Sequence, residues 1–276
     1  MGLDPRTTRF LVIAATLVVG SQLAMRWVDP GSTLGDLCVQ AASLRSAGRI
    51  RDADRIYRYA TREYPLLAQS WVEYGAFLRE TGKTEIALDA FVKACGLPEL
   101  DANRAGIASA WRHRAEIAWD AGRIDEAQAA CERASESGDM RGQQLLALLL
   151  GCIRHDHSAT TAMERVLERS PTDRVALLWI AGEHARAGRD DAAIDAYGRA
   201  TRAPVPILAG WAMYLEARWL AIRRDPHAAH ALAASLSTTH RPPLGRSDVV
   251  ADAAFAEVMA APDAQLQTAL ARLPRD

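Results

Sequence analysis

The stretch WVEYGAFLRETGKTEIALDAFVKA, from Trp71 to Ala94, decides the fold of this 276-residue chain. Apolar residues recur at helical spacing on both sides of Gly82, and a glycine there commonly ends a helix in the left-handed conformation. Beyond it, the small Ala87 and Ala94 share one face of the next helix, with the large Phe91 between them. Small residues allow two helices to approach closely, so the stretch predicts two antiparallel helices joined by a tight turn.

The same spacing recurs along the chain. A small, a large and a small residue follow each turn glycine by five, nine and twelve positions. A degenerate copy carries Ala159 and Met163, with Arg154 in place of the glycine. The interval from the first turn glycine to the second is 34 residues, and the next interval is 40. The four full sets are Gly48 with Ala53, Tyr57 and Ala60; Gly82 with Ala87, Phe91 and Ala94; Gly122 with Ala127, Cys131 and Ala134; and Gly188 with Ala193, Tyr197 and Ala200.

These residues resemble the tetratricopeptide repeat (TPR), whose 34-residue unit is a helix–turn–helix. The second unit matches best, with Trp71, Tyr74, Gly75 and Leu78 at the first-helix positions. The resemblance implies an all-α fold, a right-handed α-solenoid of about six helix pairs over residues 34–236. One unit cannot bury its own apolar stripe, so neighbouring units must supply the core.

The repeat predicts the positions of individual helices. A sixth pair starts around Trp211 without a turn glycine, and Asp225-Pro226 can begin its second helix. Residues 242–276 are expected to form C-terminal capping helices, at 248–260 and 263–273. The first five pairs are expected at 34–47 with 50–63, 68–81 with 84–96, 106–121 with 124–137, 141–153 with 158–170, and 174–187 with 190–202.

The N-terminus carries an apolar run from Phe10 to Met25, bounded by Arg9 and Arg26. The run is slightly shorter than the roughly 20 residues of a full membrane span. We expect a short cytoplasmic tail (1–8) and a transmembrane signal-anchor helix (9–28) that precedes the solenoid. This makes the protein a single-pass protein of a bacterial inner membrane whose TPR domain faces the periplasm. A cleaved signal peptide and a buried core helix are the alternatives.

The sequence carries no signature of catalysis or of metal binding. A net charge of -1 lacks the basic excess of a nucleic-acid binder. The four cysteines form no C-x-x-C pair, and we expect them to be small buried hydrophobes. His155, Asp156 and His157 fall in a turn, and there is no phosphate loop or nucleophile motif. We therefore expect no enzyme activity, no cofactor, no metal and no small-molecule substrate.

The TPR resemblance implies that the first helix of each pair lines a concave groove. Trp and Arg are common in binding hot spots, so a groove rich in them suits a segment with acidic and apolar residues. In the alternative interpretation these side chains only cover the helix surface, or the C-terminal tail occupies the groove. The groove positions hold Arg45, Arg79, Arg112, Glu116, Trp119, Gln144, Leu178 and Trp219.

The resemblance and the anchor together predict a membrane-anchored protein–protein interaction scaffold. Its partners are expected to be envelope or membrane proteins, in assembly of a cell-envelope, secretion or polysaccharide-export system. Tethering raises the effective concentration of partners in the same membrane, so modest affinities suffice. Two other functions stay open: a soluble periplasmic chaperone-like protein released by signal cleavage, and a regulatory subunit of an envelope enzyme.

Overall fold

The computed structural model describes residues 33–154, 156–204, 208–238 and 242–274, and all regular structure within these ranges is helical. The expected cytoplasmic tail and membrane anchor lie outside the described residues. A 3₁₀ turn at Ala253–Phe255 separates α13 from α14. The helices are α1 (Leu34–Ser46), α2 (Ile50–Glu63), α3 (Ala68–Glu80), α4 (Thr84–Cys95), α5 (Asp101–Asp120), α6 (Ile124–Glu136), α7 (Met140–Cys152), α8 (Ser158–Arg169), α9 (Arg174–Arg186), α10 (Asp190–Arg202), α11 (Ala209–Ile222), α12 (Ala228–Ser237), α13 (Arg246–Ala251), α14 (Ala256–Ala260) and α15 (Ala264–Ala271).

The turns within the helix pairs use the left-handed backbone that glycine adopts without steric cost. Gly48, Gly82, Gly122 and Gly188 have φ between 68° and 78°. Arg224 takes the same role in the sixth pair, at φ 55°. Its turn repeats the hydrogen bonds of the glycine turns, so the geometry persists where the glycine is missing. The predicted left-handed turns are therefore confirmed.

The residues that follow each turn glycine by five, nine and twelve positions form the core of the helix pairs. Ala87, Phe91 and Ala94 are all fully buried. A Cβ built on Gly75 of α3 would lie 2.6 Å from Phe91 Cε1. Only a glycine allows this ring to pack against the helix backbone, so the small and large residues of the repeat are explained by close helix packing.

The chain divides into two compact units, Met1–Ala110 and Trp111–Asp276. In the first, α1 packs on α2, α2 on α3 and α3 on α4. In the second, α7 packs on α6 and α9 on α8, so that each first helix lies against the second helix of the preceding pair. This is the alternating order that the resemblance implies.

The helix α11 departs from this order. Its closest backbone neighbour among the earlier helices is α9, which is itself the first helix of the preceding pair. Gly182 of α9 faces α11, and a Cβ there would lie 3.6 Å from Arg218 Nη1 and 3.8 Å from Ile222 Cδ1. The second unit therefore carries α11 on the side that its first helices form.

The C-terminal segment covers the end of the last pair. The 3₁₀ turn packs on α11 and α15 packs on α12. Phe255 is fully buried, with its ring 5.4 Å from that of Tyr214. The segment forms four short helical pieces rather than the two expected, because the Asp252 side chain caps the 3₁₀ turn and interrupts the first predicted helix.

Two further observations concern helix length. The helix α5 begins at Asp101, earlier than expected, because the Asn103 side chain accepts from the Ala68 N–H and donates to the Leu66 and Pro98 carbonyls. The side chain is thereby buried with its hydrogen bonds made.

Within the described parts of the chain, no helix combines the length and the apolar character that crossing a membrane requires.

Candidate functional site

The structure separates the eight residues expected to line a groove into two groups. Arg45 and Arg79, in the first unit, remain partly exposed. Of the six in the second unit, five are at most 6% exposed, and Glu116 is partly exposed. The five buried residues are Arg112, Trp119, Gln144, Leu178 and Trp219, so this structure does not present them to a partner.

The first helices α1 and α3 of the first unit present side chains to solvent. Val39 is 71% exposed, and the neighbouring Cys38 and Ala42 are half-buried. On α3, Ala76 is half-buried and Glu73 is near enough to Cys38 to act on its thiol. We name this surface the open face; it consists of Cys38, Val39, Ala42 and Arg45 of α1 with Glu73, Ala76 and Arg79 of α3.

Ion pairs border the open face. Arg45 pairs with Glu80 across α1 and α3, and both side chains are more than a third exposed. Burial and then the charge of Glu73 raise the pKa of the Cys38 thiol to about 11. The thiol is therefore protonated at neutral pH and lies beside the Glu73 carboxylate.

Arg112 and Gln144 connect successive pairs of the second unit. Arg112 Nη1 donates to Glu116 Oε1 at 2.8 Å, and its Nε lies 3.7 Å from an oxygen of Asp139. Gln144 Nε2 donates to Asp173 Oδ2 at 2.5 Å. The two aspartates are N-caps of α7 and α9. These polar side chains are thus turned towards the start of the next first helix, which explains their burial.

The large apolar groove residues are covered within the chain itself. The Trp119 ring lies 5.4 Å from that of Trp211 on α11. Trp219, also on α11, stacks on Tyr197 at 5.2 Å with an interplanar angle of 18°. Trp219 was expected to line a groove, but it belongs to the helix that fills this side of the unit.

Polar contacts surround the contact between α11 and α9. Glu216 of α11 accepts from Tyr197 Oη at 3.0 Å and lies 3.5 Å from Arg174 Nη2. Arg218 sits over the Trp179 ring at 5.2 Å and 3.9 Å from Glu183. Charged groups therefore flank an aromatic contact, an arrangement that is common at interfaces between packed surfaces.

Arg218 also connects α11 to the C-terminal segment. Its Nε donates to Asp252 at 3.0 Å, and Tyr214 Oη donates to the same carboxylate at 3.1 Å. Burial, and next the charge of Asp252, raise the pKa of Tyr214 well above its usual value. Arg218 and Asp252 are each 6% exposed, so this is a buried pair whose members depend on each other.

A cleft of about 310 Å³ opens beside this pair, with Trp179 as one wall. Burial, and then the nearby Arg218, lower the pKa of Arg186 at its edge. Glu183 and Asp252 lie in the same cleft and pair with these two arginines. Asp156 adds a third carboxylate to the lining of the cleft. No cluster of metal-ligating side chains occurs in the ranges that the structure describes.

Sequence reasoning missed α11 as the cover of the second unit, together with Arg174 and Asp252. One signal was present. The stretch WAMYLEARWLAI of α11 is apolar on nearly every side, and a helix of that kind is buried all round. A helix at the surface of a groove would instead keep one polar side.

Comparison with known proteins assigns no family. No family model matches the sequence, and none of the curated proteins matches it. Among solved structures, the crystal structure of MamA aligns with a TM-score of 0.46 at 18% identity, over 59% of this chain and 92% of that one. The crystal structure of YrrB, described as a TPR protein with an unusual peptide-binding site, aligns with a TM-score of 0.44 at 18% identity, over 65% of this chain and 89% of that one.

Proposed function

We propose that this protein is a protein-binding module and that its partner binds the open face of the first unit. One observation carries the proposal: the side formed by the first helices is exposed at Val39 of α1 and only half-buried on α3, whereas α11 packs on that side of α9 in the second unit. The exposed Val39 supplies an apolar contact at the centre. A protein scaffold agrees with the repeat pattern, since stacked repeats of this kind present extended binding surfaces.

The side chains of the open face define the partner's chemistry. Val39, Ala42 and Ala76 supply the apolar side chains of the face. Arg45 and Arg79 lie in the last turns of α1 and α3, where Glu80 pairs with Arg45. Arginine binds carboxylates through two parallel hydrogen bonds, so a segment with an apolar residue followed by an acidic one suits the face.

Charge reversal on the open face tests this proposal. In the first step, a photoreactive residue replaces Val39 in cells, and the protein that it cross-links is identified as the partner. Binding of that purified partner is then compared between the wild type and the double variant Arg45→Glu with Arg79→Glu. We expect at least tenfold weaker binding, since truncating a hot-spot residue costs more than about 1 kcal/mol.

The matched control reverses two exposed arginines of a second helix, Arg51→Glu and Arg55→Glu on α2. It changes the net charge by the same amount and should leave the affinity within twofold of the wild type. Circular dichroism verifies that both double variants keep their helical content. Equal binding by the open-face variant and the control would exclude this surface as the docking site.

We further propose that residues 9–28 anchor the module in a bacterial inner membrane and that its partners are envelope proteins. Support comes from the sequence alone, from the apolar run between Arg9 and Arg26. Intact mass of the protein purified from membranes decides between an anchor and a signal peptide. A mature chain that starts near Gln22 would remove the anchor and favour a soluble periplasmic chaperone-like protein. A reporter fused after residue 276 establishes which side of the membrane the module faces.

A further inference from the structure

The second unit offers an inference that is independent of docking on the open face. Trp119 and Leu178 occupy positions that the repeat pattern assigns to a groove, yet both are buried. The helix α11 lies on the same side of the unit, against α9. The side formed by the first helices therefore exists in the second unit, but a segment of the same chain covers it.

The contacts of α11 follow the pattern of a helix bound in a groove. Trp211, Leu215 and Trp219 are spaced by four residues and share one side of α11. All three are at most 4% exposed. Apolar anchors at such intervals are how a helix binds in an apolar groove.

Charges define the direction and register of α11 on this surface. Glu216 lies between Tyr197 of α10 and Arg174 of α9, and its side chain remains 31% exposed. Gly182 of α9 faces Arg218 and Ile222 of α11. A carboxylate at the edge and aromatic anchors at the centre would be equally available to a helix from another protein.

We infer that α11 is a built-in occupant of this surface, an autoinhibitory contact that closes a second docking face on the protein. Release of α11 would uncover Trp119 and Leu178 for a partner helix. That helix would carry two aromatic residues eight positions apart and a carboxylate between them, as α11 does. Covalent linkage gives α11 an effective concentration in the millimolar range, so only a tight partner, or a weakened α11, opens the face.

The experiment uses a labelled peptide of Leu208–Arg223 as the probe and the full-length chain as the receptor. The variant Trp211→Ala weakens α11 in the chain, while the peptide retains the tryptophan that reaches Trp119. We expect the peptide to bind this variant at least tenfold more tightly than it binds the wild type. A peptide that itself carries Trp211→Ala should lose this advantage.

A second variant, Glu216→Lys, guards against unfolding, because it places a like charge beside Arg174 without removing core volume. We expect it to gain peptide binding while circular dichroism remains helical. Hydrogen exchange in α9 should become faster in the variant and slow again when the peptide is added. Glu257→Lys, which disrupts an ion pair between exposed side chains, is the control and should not gain binding.

Failure of both variants to bind the peptide would overturn the inference, whether they stay folded or lose helix. In that case α11 is a permanent core helix. Binding of the peptide to the wild type as tightly as to the variants would also contradict it, since the face would then not be closed. Neither result bears on the open face of the first unit, which is tested with different variants.

Discussion

Replacement of Gly75 by alanine tests the close helix approach on which every pair depends. A Cβ at this position of α3 would lie 2.6, 2.9 and 3.0 Å from Cε1, Cζ and Cδ1 of Phe91. Phe91 is fully buried between Ala87 and Ala94, so its ring has no free volume to move into. The added methyl group must therefore separate α3 from α4.

Two opposing terms give the size of the effect. Alanine is favoured over glycine in a helix interior by about 1 kcal/mol. Forcing an extra methyl group into a packed core costs about 1–3 kcal/mol. We expect a net loss of about 1 kcal/mol, up to about 2 kcal/mol, in the free energy of unfolding of the first unit. Native-state hydrogen exchange of α3 and α4 measures this, because it reports each part of the chain separately.

Gly182→Ala is the matched control in a first helix of the second unit. Its nearest atoms would be Arg218 Nη1 at 3.6 Å and Ile222 Cδ1 at 3.8 Å, which are ordinary contact distances. This change should leave α9 equally or more stable, by up to about 1 kcal/mol. Adding Phe91→Leu to Gly75→Ala should recover part of the lost stability. If Gly75→Ala alone is as stable as the wild type, the explanation of the repeat by close packing fails.

Two other outcomes follow from buried polar groups. Asp252→Ala leaves Arg218 buried without its carboxylate, so urea unfolding should show that the second unit loses about 3–5 kcal/mol in its free energy of unfolding. The control Glu257→Ala, in an exposed ion pair, should lose less than about 1 kcal/mol. Equal losses in the two variants would contradict the assignment of Arg218 and Asp252 as a buried pair. Burial raises the pKa of Tyr57 and of Tyr197 to about 12, above the ordinary value of about 10. The folded state therefore favours the neutral phenols, and their contribution to stability should be complete below pH 10 and decline as the pH rises towards 12. Urea unfolding at pH 9, 10 and 11 measures this. A free energy of unfolding that does not fall over this range would refute the prediction.

The turns and the phase of each helix could be predicted from the sequence, because both are local. Gly48, Gly82, Gly122 and Gly188 fall where a left-handed residue is needed, and alanines at helical spacing show which side of the helix is buried. The start of α5 could not be predicted in this way. It depends on Asn103 bonding to groups near residues 66 and 98, which no local pattern reveals.

The candidate site was predictable only in part. The repeat correctly identifies which side of each first helix points away from its own pair, but it contains no information about what lies on that side. Arg45 and Arg79 remain partly exposed there. Trp119 has the same register but is buried in the second unit. The difference arises from α11, whose placement on α9 depends on contacts between segments that are distant in sequence.

Thiol labelling at one position of each unit tests the central claim most directly. Val39 of α1 is 71% exposed, whereas Leu178 of α9 is 1% exposed. Native alkylation of a Val39→Cys variant, in a chain that also carries Cys38→Ala, and of a Leu178→Cys variant is measured by peptide mass spectrometry, each rate relative to the same cysteine in the unfolded chain. We predict that the cysteine at position 39 is labelled readily, while the cysteine at position 178 reacts as slowly as the buried Cys131 and Cys152. Equal protection of positions 39 and 178 would contradict an open face on the first unit and a covered one on the second.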